Sequence, residues 1–174
     1  MDGSMQSKWW SLFALILACQ ATPVLAQGGF VLFGGERDAN YNLSYSMINN
    51  RSKVRFNMLD LMFRPQNVAI AELQLTYPHP YDNSFDLNNI QVLNDLTKQA
   101  FEVEKIEQDQ LDSQARVMTI ILKQPIPAET PLRIRMQNFT NPRAGGTYKI
   151  LARYLGTEPN PLYRFAGSWF ISFN

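Results

Sequence analysis

"RMQNFTNPRAGGTYKILARY", residues 135–154, holds two alternating runs of apolar and polar residues on either side of a knot of Asn, Pro and Gly. Alternation with a period of two marks strands that bury one face. The knot reads as the connection: Asn141-Pro142 starts a turn, Gly145-Gly146 offers the positive dihedrals that other residues avoid, and Tyr148 returns the chain to the core. The stretch therefore predicts two strands lying side by side.

The same period runs outward from there. "VRFNMLDLMFRP" predicts a strand from about Val54 to Arg64, with Leu59, Leu61 and Phe63 on one face. "AIAELQLTYP" sets Ala71, Leu73, Leu75 and Tyr77 against Glu72, Gln74 and Thr76, and Pro78 and Pro80 stop it. "NIQVLND" and "AFEVEKIE" are short strands around a turn at Asn94 and Asp95. "RVMTIILKQP" is apolar on both faces, as a central strand is, and ends at Pro125 and Pro127. "PLRIRMQN" alternates Leu132, Ile134 and Met136 with Arg133, Arg135 and Gln137. Downstream, "TYKILARYL" sets Tyr148, Ile150, Ala152 and Tyr154 against Lys149, Leu151 and Arg153, and "SWFISFN" puts Trp169, Ile171 and Phe173 on one side. About seven or eight short strands without a convincing helix predict an antiparallel β-sandwich of immunoglobulin-like type, with a barrel as the alternative.

The first residues read differently. "MDGSMQSKWWSLFALILACQATPVLAQ" has a positive charge at Lys8, an apolar core from Trp9 to about Ala18, and then Pro23 and "VLA" before Gln27. That core is shorter than the roughly 20 apolar residues a bilayer span needs, and the pattern is that of a signal peptide cleaved after Ala26. A second reading takes "ILAC" as a lipobox and Cys19 as the site of a lipid anchor, although Leu17 stands where a smaller residue is usual. Both readings take the chain out of the cytoplasm. The sequence predicts a signal peptide at 1–26, a Gly- and Asn-rich leader or edge strand at 27–52, and a sandwich domain at 53–174. No further stretch of the mature chain is apolar enough to span a membrane.

A mature chain of residues 27–174 suits one domain that buries roughly two-thirds of its unfolded surface. Cys19 is the one cysteine, so after cleavage there is no disulfide, thiol nucleophile or Cys-ligated zinc. The net charge of +1 leaves no nucleic-acid footprint.

The single histidine, His79, lies between two prolines in "YPHPY" and has no triad partner that the sequence can place. Copper carriage by His79 with Met47, Met58, Met62, Met118 and Met136 conflicts with methionines that sit in strands as core fillers. "DNSFDLNN" spaces Asp82, Ser84, Asp86 and Asn88 as a calcium loop would, but Leu87 and Leu93 stand where that loop needs Gly and Glu. An Asx-rich turn accounts for it. Glu102, Glu104, Glu107, Asp109 and Asp112 read as a solvated strand face and loop. If the strands flanking the Asn-Pro-Gly knot are neighbours, Arg133, Arg135, Lys149 and Arg153 face outward together, with Arg143 in the loop, as a basic face for an anionic envelope polymer or lipid headgroups.

The order "QPIPAETPLRIRMQNFTNPRAGGTYKILARYLG", then "YRFAGSWFISF", resembles the exported cyanobacterial proteins grouped as domain of unknown function 2808. The matching positions are Pro125, Pro127, Asn141, Pro142, Gly146, Tyr148, Gly156, Gly167 and Phe173, over a pattern covering residues 55–174. "IPAETP" departs from the Pro-Gly usual in that family before the strand. The resemblance implies a signal peptide, a periplasmic or thylakoid-lumen address and a sandwich, and it brings no catalytic residues and no cofactor.

Together these readings predict an exported, non-enzymatic β-sandwich that acts by binding or by a structural role in the cell envelope. Its partner is read as an unidentified envelope protein or anionic polymer. The alternative is a carbohydrate- or peptidoglycan-binding module, which requires Tyr77, Tyr81 and Trp169 to lie exposed as aromatic platforms.

Overall fold

The computed structural model describes residues 38–79, 85–112 and 115–174. The predicted signal segment with Lys8 and Cys19, the apolar run Phe30 to Phe33, and Tyr81, Asp82 and Ser84 lie outside those residues. The strands are β1 (Tyr45–Met47), β2 (Asn57–Phe63), β3 (Ile70–Pro78), β4 (Ile90–Asn94), β5 (Ala100–Phe101), β6 (Val103–Gln110), β7 (Ala115–Ile126), β8 (Leu132–Phe139), β9 (Gly146–Gly156) and β10 (Arg164–Phe173). Sheet I has the order β1-β2-β8-β4-β5 and sheet II the order β10-β9-β3-β7-β6, with every pairing between named strands antiparallel. The two sheets pack face to face as an immunoglobulin-like sandwich. The strand number exceeds seven or eight because β1 and β5 are only 3 and 2 residues long.

The period-two pattern decides which side chains meet between the sheets. Sheet I contributes Leu59, Leu61, Phe63, Leu132, Ile134 and Met136, and sheet II contributes Leu73, Leu75, Tyr77, Ile150, Ala152, Trp169 and Ile171. Ala71 is only half-buried, against expectation, because the register shifts between Ile70 and Glu72 and turns Ile70 inward instead. Pro125 lies inside β7, and Pro127 follows its end.

The Asn-Pro-Gly knot is not a hairpin turn. Residues 140–145 carry the chain from β8 in sheet I to β9 in sheet II, so the two strands lie in different sheets. Each alternating run has its neighbours elsewhere: β8 lies between β2 and β4, and β9 between β10 and β3. Local alternation specifies a buried face but not the sheet that carries it, which is why the sequence admits both readings. Of the Gly pair, Gly146 alone has a positive φ, 143°. The Tyr148 hydroxyl donates to the Ala144 carbonyl at 2.9 Å, pinning the crossover to the strand it starts.

β1 belongs to the segment read as a leader or edge strand, and it is the edge of sheet I. It stacks over the edge of sheet II. There the Leu43 amide donates to the Ser168 carbonyl at 2.8 Å, the Ser172 amide donates to the Tyr45 hydroxyl at 3.1 Å, and Leu43 enters the core. Gly167 makes this approach feasible: its φ is 146°, it forms a bulge in β10, and a Cβ there would stand 2.6 Å from the Tyr41 carbonyl oxygen. Trp169 is buried behind it, its indole Nε1 donating to the Ser44 and Met62 carbonyls at 3.1 Å each.

Candidate anion-binding cleft

The crossover separates the five basic residues expected on one face. Arg133 and Arg135 alternate with the core residues of β8 and project from the outer face of sheet I, whereas Lys149 and Arg153 project from the outer face of sheet II. Arg143 sits on the crossover between them. Lys149 lies over the Phe170 ring, its Nζ 5.6 Å from the centroid.

Arg133 and Arg135 are occupied internally. Arg135 donates from Nε and Nη2 to the two oxygens of Asp60, each at 2.8 Å, and Arg133 donates from Nη1 to Asp60 Oδ2 at 2.8 Å. Arg133 also donates from Nε to Asp95 Oδ1 at 2.8 Å, where Lys98 Nζ arrives at 3.0 Å. Asp60 is the buried anchor of this network. Burial pushes its carboxyl up, but the hydrogen bonds and charges of Arg135 and Arg133 together outweigh that and hold it below the usual range.

A folded-state pKa below the unfolded value means that the stabilisation is present above the ordinary carboxyl pKa and is lost as pH falls through the folded one. Denaturant unfolding followed from pH 7 downward should therefore show stability falling below about pH 4. Asp60→Asn should flatten that acid limb and cost about 2 kcal/mol at neutral pH, since its arginine partners keep some access to water.

The unoccupied cations lie at one end of the sandwich. An open cleft of about 610 Å3 is lined by Lys53, Arg55, Thr140, Asn141 and Arg143. Lys53 and Arg55 come from the β1–β2 hairpin loop, residues 48–56. No acidic group pairs with Lys53, Arg55 or Arg143 among the described residues.

Two buried asparagines build this corner. Asn57 closes the base of the loop, its Oδ1 accepting from the Asn49 and Met58 amides at 3.2 and 2.9 Å. Its Nδ2 donates to the Asn49 carbonyl at 2.6 Å and to Asn141 Oδ1 at 2.7 Å. Asn141 Nδ2 in turn donates to the Asn49 and Arg51 carbonyls at 2.8 and 2.7 Å, tying the loop to the crossover. Backbone bonds from Asn141 to Val54 and from Lys53 to Pro142 run alongside, and Ser52 donates from its amide and its hydroxyl to the Asn174 carbonyl. Held this way, the loop adopts positive φ at Lys53 (63°) and Phe56 (56°), which is why β2 begins at Asn57 and not at Val54.

Guanidinium, ammonium and hydroxyl donors around one cleft, with no acidic side chain in the lining, suit an anionic oxygen group such as phosphate, sulfate or carboxylate. The lining holds no carboxylate, imidazole or thiol that could pass a proton or attack a substrate. Sequence reasoning found Arg143 and missed Lys53 and Arg55. Their signal was readable: no Asp or Glu occurs in residues 39–59 or 130–157, the two segments that form the corner.

The other candidates fall elsewhere. His79 is half-buried at the end of β3. Asp86 caps a single helical turn, Leu87–Asn89, through the Asn88 amide at 3.2 Å. Met118 and Met136 are core, whereas Met58 and Met62 lie half-buried on the outer side of β2. Glu102 pairs with Lys123 at 2.8 Å, and Glu107 pairs with Lys105, on solvated edges. Tyr77 and Trp169, two of the rings that a sugar platform required, are buried. Among the described residues, no group of three or more His, Cys, Asp or Glu could hold a metal ion, and no helix is long and apolar enough to cross a membrane.

Fold and cleft together define an all-β, immunoglobulin-like sandwich with a basic cleft at one end. Residues 30–173 match the model of the family described as "Protein of unknown function (DUF2808)". The chain belongs to that family. No curated protein matches it. Among solved structures, the collagen-binding subdomain of the Enterococcus faecalis surface protein ACE is 8% identical, with 79% of this chain and 99% of that one covered and a TM-score of 0.43. An uncharacterized immunoglobulin-like protein from Nocardia farcinica is 6% identical, covering 76% and 98%, with a TM-score of 0.43. The bacterial hydrophobin BslA is 14% identical, covering 76% and 92%, with a TM-score of 0.41.

Proposed function

We propose that the protein is an exported, non-enzymatic binding module of the cell envelope, in the periplasm or thylakoid lumen, that takes anionic groups at the cleft of Lys53, Arg55 and Arg143. The observation that carries this reading is the convergence of three cations, from two segments free of acidic residues, around one open cleft. Elsewhere in the sandwich Arg133 and Arg135 are neutralised by Asp60 and Asp95, so a cluster left without a carboxylate stands apart. The signal-like residues 1–26 support export.

Titration with inorganic polyphosphate tests the reading. The variant Lys53→Gln/Arg55→Gln/Arg143→Gln should bind at least tenfold more weakly, at about 0.5–1 kcal/mol per screened charge contact. Lys149→Gln/Arg153→Gln, on the far face of sheet II, should bind as the unsubstituted protein does. Binding should also weaken between low and physiological salt as the charges are screened. Equal affinity of the triple variant would remove the cleft from the function.

A further inference from the structure

The loop that carries the cleft's cations also carries two large apolar side chains turned out of the core. Phe56 is 81% exposed, the most exposed large hydrophobic among the described residues, and Ile48 is 72% exposed. They stand at the two ends of the loop that contains Arg51, Lys53 and Arg55, and the Ile48 amide donates to the Met58 carbonyl at 3.2 Å, two residues from Phe56. A phenylalanine at φ 56° is costly, because a bulky side chain is disfavoured in the left-handed region. Asn or Gly would fill that position without strain, so the fold gains nothing from an exposed ring there.

We infer that this loop, with Arg143 beside it, is a docking edge for an anionic bilayer surface. The inference rests on the anion-binding cleft and names its source of anions. Four cations with no acidic side chain paired to them among the described residues meet lipid phosphates, while Phe56 and Ile48 enter the boundary between headgroups and acyl chains. The acidic side chains of this end lie on other elements: Asp86 caps the turn before β4, and Asp109 and Asp112 belong to the β6–β7 hairpin at the opposite edge of sheet II. A soluble anionic polymer would use the cations alone and give the two apolar side chains no role.

Vesicles of phosphatidylcholine with phosphatidylglycerol, against phosphatidylcholine alone, separate the possibilities. The unsubstituted protein should sediment with the anionic vesicles and much less with the neutral ones. Phe56→Asn relieves the backbone strain, so it should keep or raise thermal stability while lowering vesicle binding about tenfold, the scale set by the loss of one partly buried aromatic side chain. Its affinity for polyphosphate in solution should not change. In a Phe56→Trp variant, lipids brominated in the acyl chain should quench fluorescence beyond the background of the unsubstituted protein.

Vesicle binding that survives Phe56→Asn and Ile48→Asn but fails in the Lys53, Arg55 and Arg143 variant would overturn the bilayer inference and leave the anion-binding reading standing. Binding to polyphosphate with none to either vesicle would do the same and point to a polymer. Indifference of every probe to the charge variant would overturn both.

Discussion

Asn141→Ala is expected to lower the unfolding free energy by about 3 kcal/mol, more than most surface substitutions by a wide margin. The side chain contributes little buried apolar area, so the effect comes from the partners it leaves. The Asn49 and Arg51 carbonyls lose the side-chain donor that reaches them, and the buried Asn57 Nδ2 loses one of its two acceptors. Each buried polar group left without a partner costs about 1–3 kcal/mol. Asn141→Asp should be no better, because it keeps the shape but turns a carboxylate oxygen toward two carbonyls. Urea unfolding with an unchanged slope would show that the loss lies in the native state. Because Asn141 fixes the loop that holds Lys53 and Arg55, polyphosphate affinity should fall with it.

Trp169→Ala should cost about 4 kcal/mol, within the range for deleting a fully enclosed aromatic side chain. The ring fills the space beside Phe63, 6.3 Å between centroids, where the two sheet edges meet. Its N–H bonds join Ser44 ahead of β1 to Met62 in β2, so the side chain in sheet II braces the edge of sheet I. At about 2–4 °C per kcal/mol for a chain of this size, the melting temperature should drop by about 12 °C. Trp169→Phe keeps most of the packing and loses only the donor, and should cost about 1–2 kcal/mol. Equal losses in the two variants would mean that the N–H bonds, not the packing, hold the edge.

The buried face of each strand was legible because alternation records burial directly: Leu59, Leu61 and Phe63, or Trp169, Ile171 and Phe173, point inward as the residues predict. Sheet membership was not, since Arg133 and Lys149 alternate in the same way whichever sheet they face from. That one ambiguity moved the candidate site. The expected basic face divided among three surfaces, and its Arg133 and Arg135 met Asp60, a partner distant in sequence. Gly146 was legible from turn chemistry as well as from the family pattern, whereas Gly167 was found only as a family position, and its reason lies in three dimensions: a bulge that the Tyr41 backbone closes over. Arg55 was hidden because the run from Val54 was read as strand, with Lys53 just ahead of it, and only long-range asparagine bonds show that the run begins as loop.

The pairing of β8 between β2 and β4 also sets an order in time. Sheet I cannot close until β8 exists, although Asp60 and Arg135, which meet within it, are 75 residues apart in the chain. Until then β2 and β4 have no common neighbour, and their free edges are open to the wrong partner. Chains whose contacts are this distant fold in roughly milliseconds to seconds, long after local hairpins form. The slow events in the life of this protein are thus the arrivals of late strands, β8 in sheet I and β9 in sheet II, and whatever keeps the chain unpaired until they are available governs how much of it folds correctly.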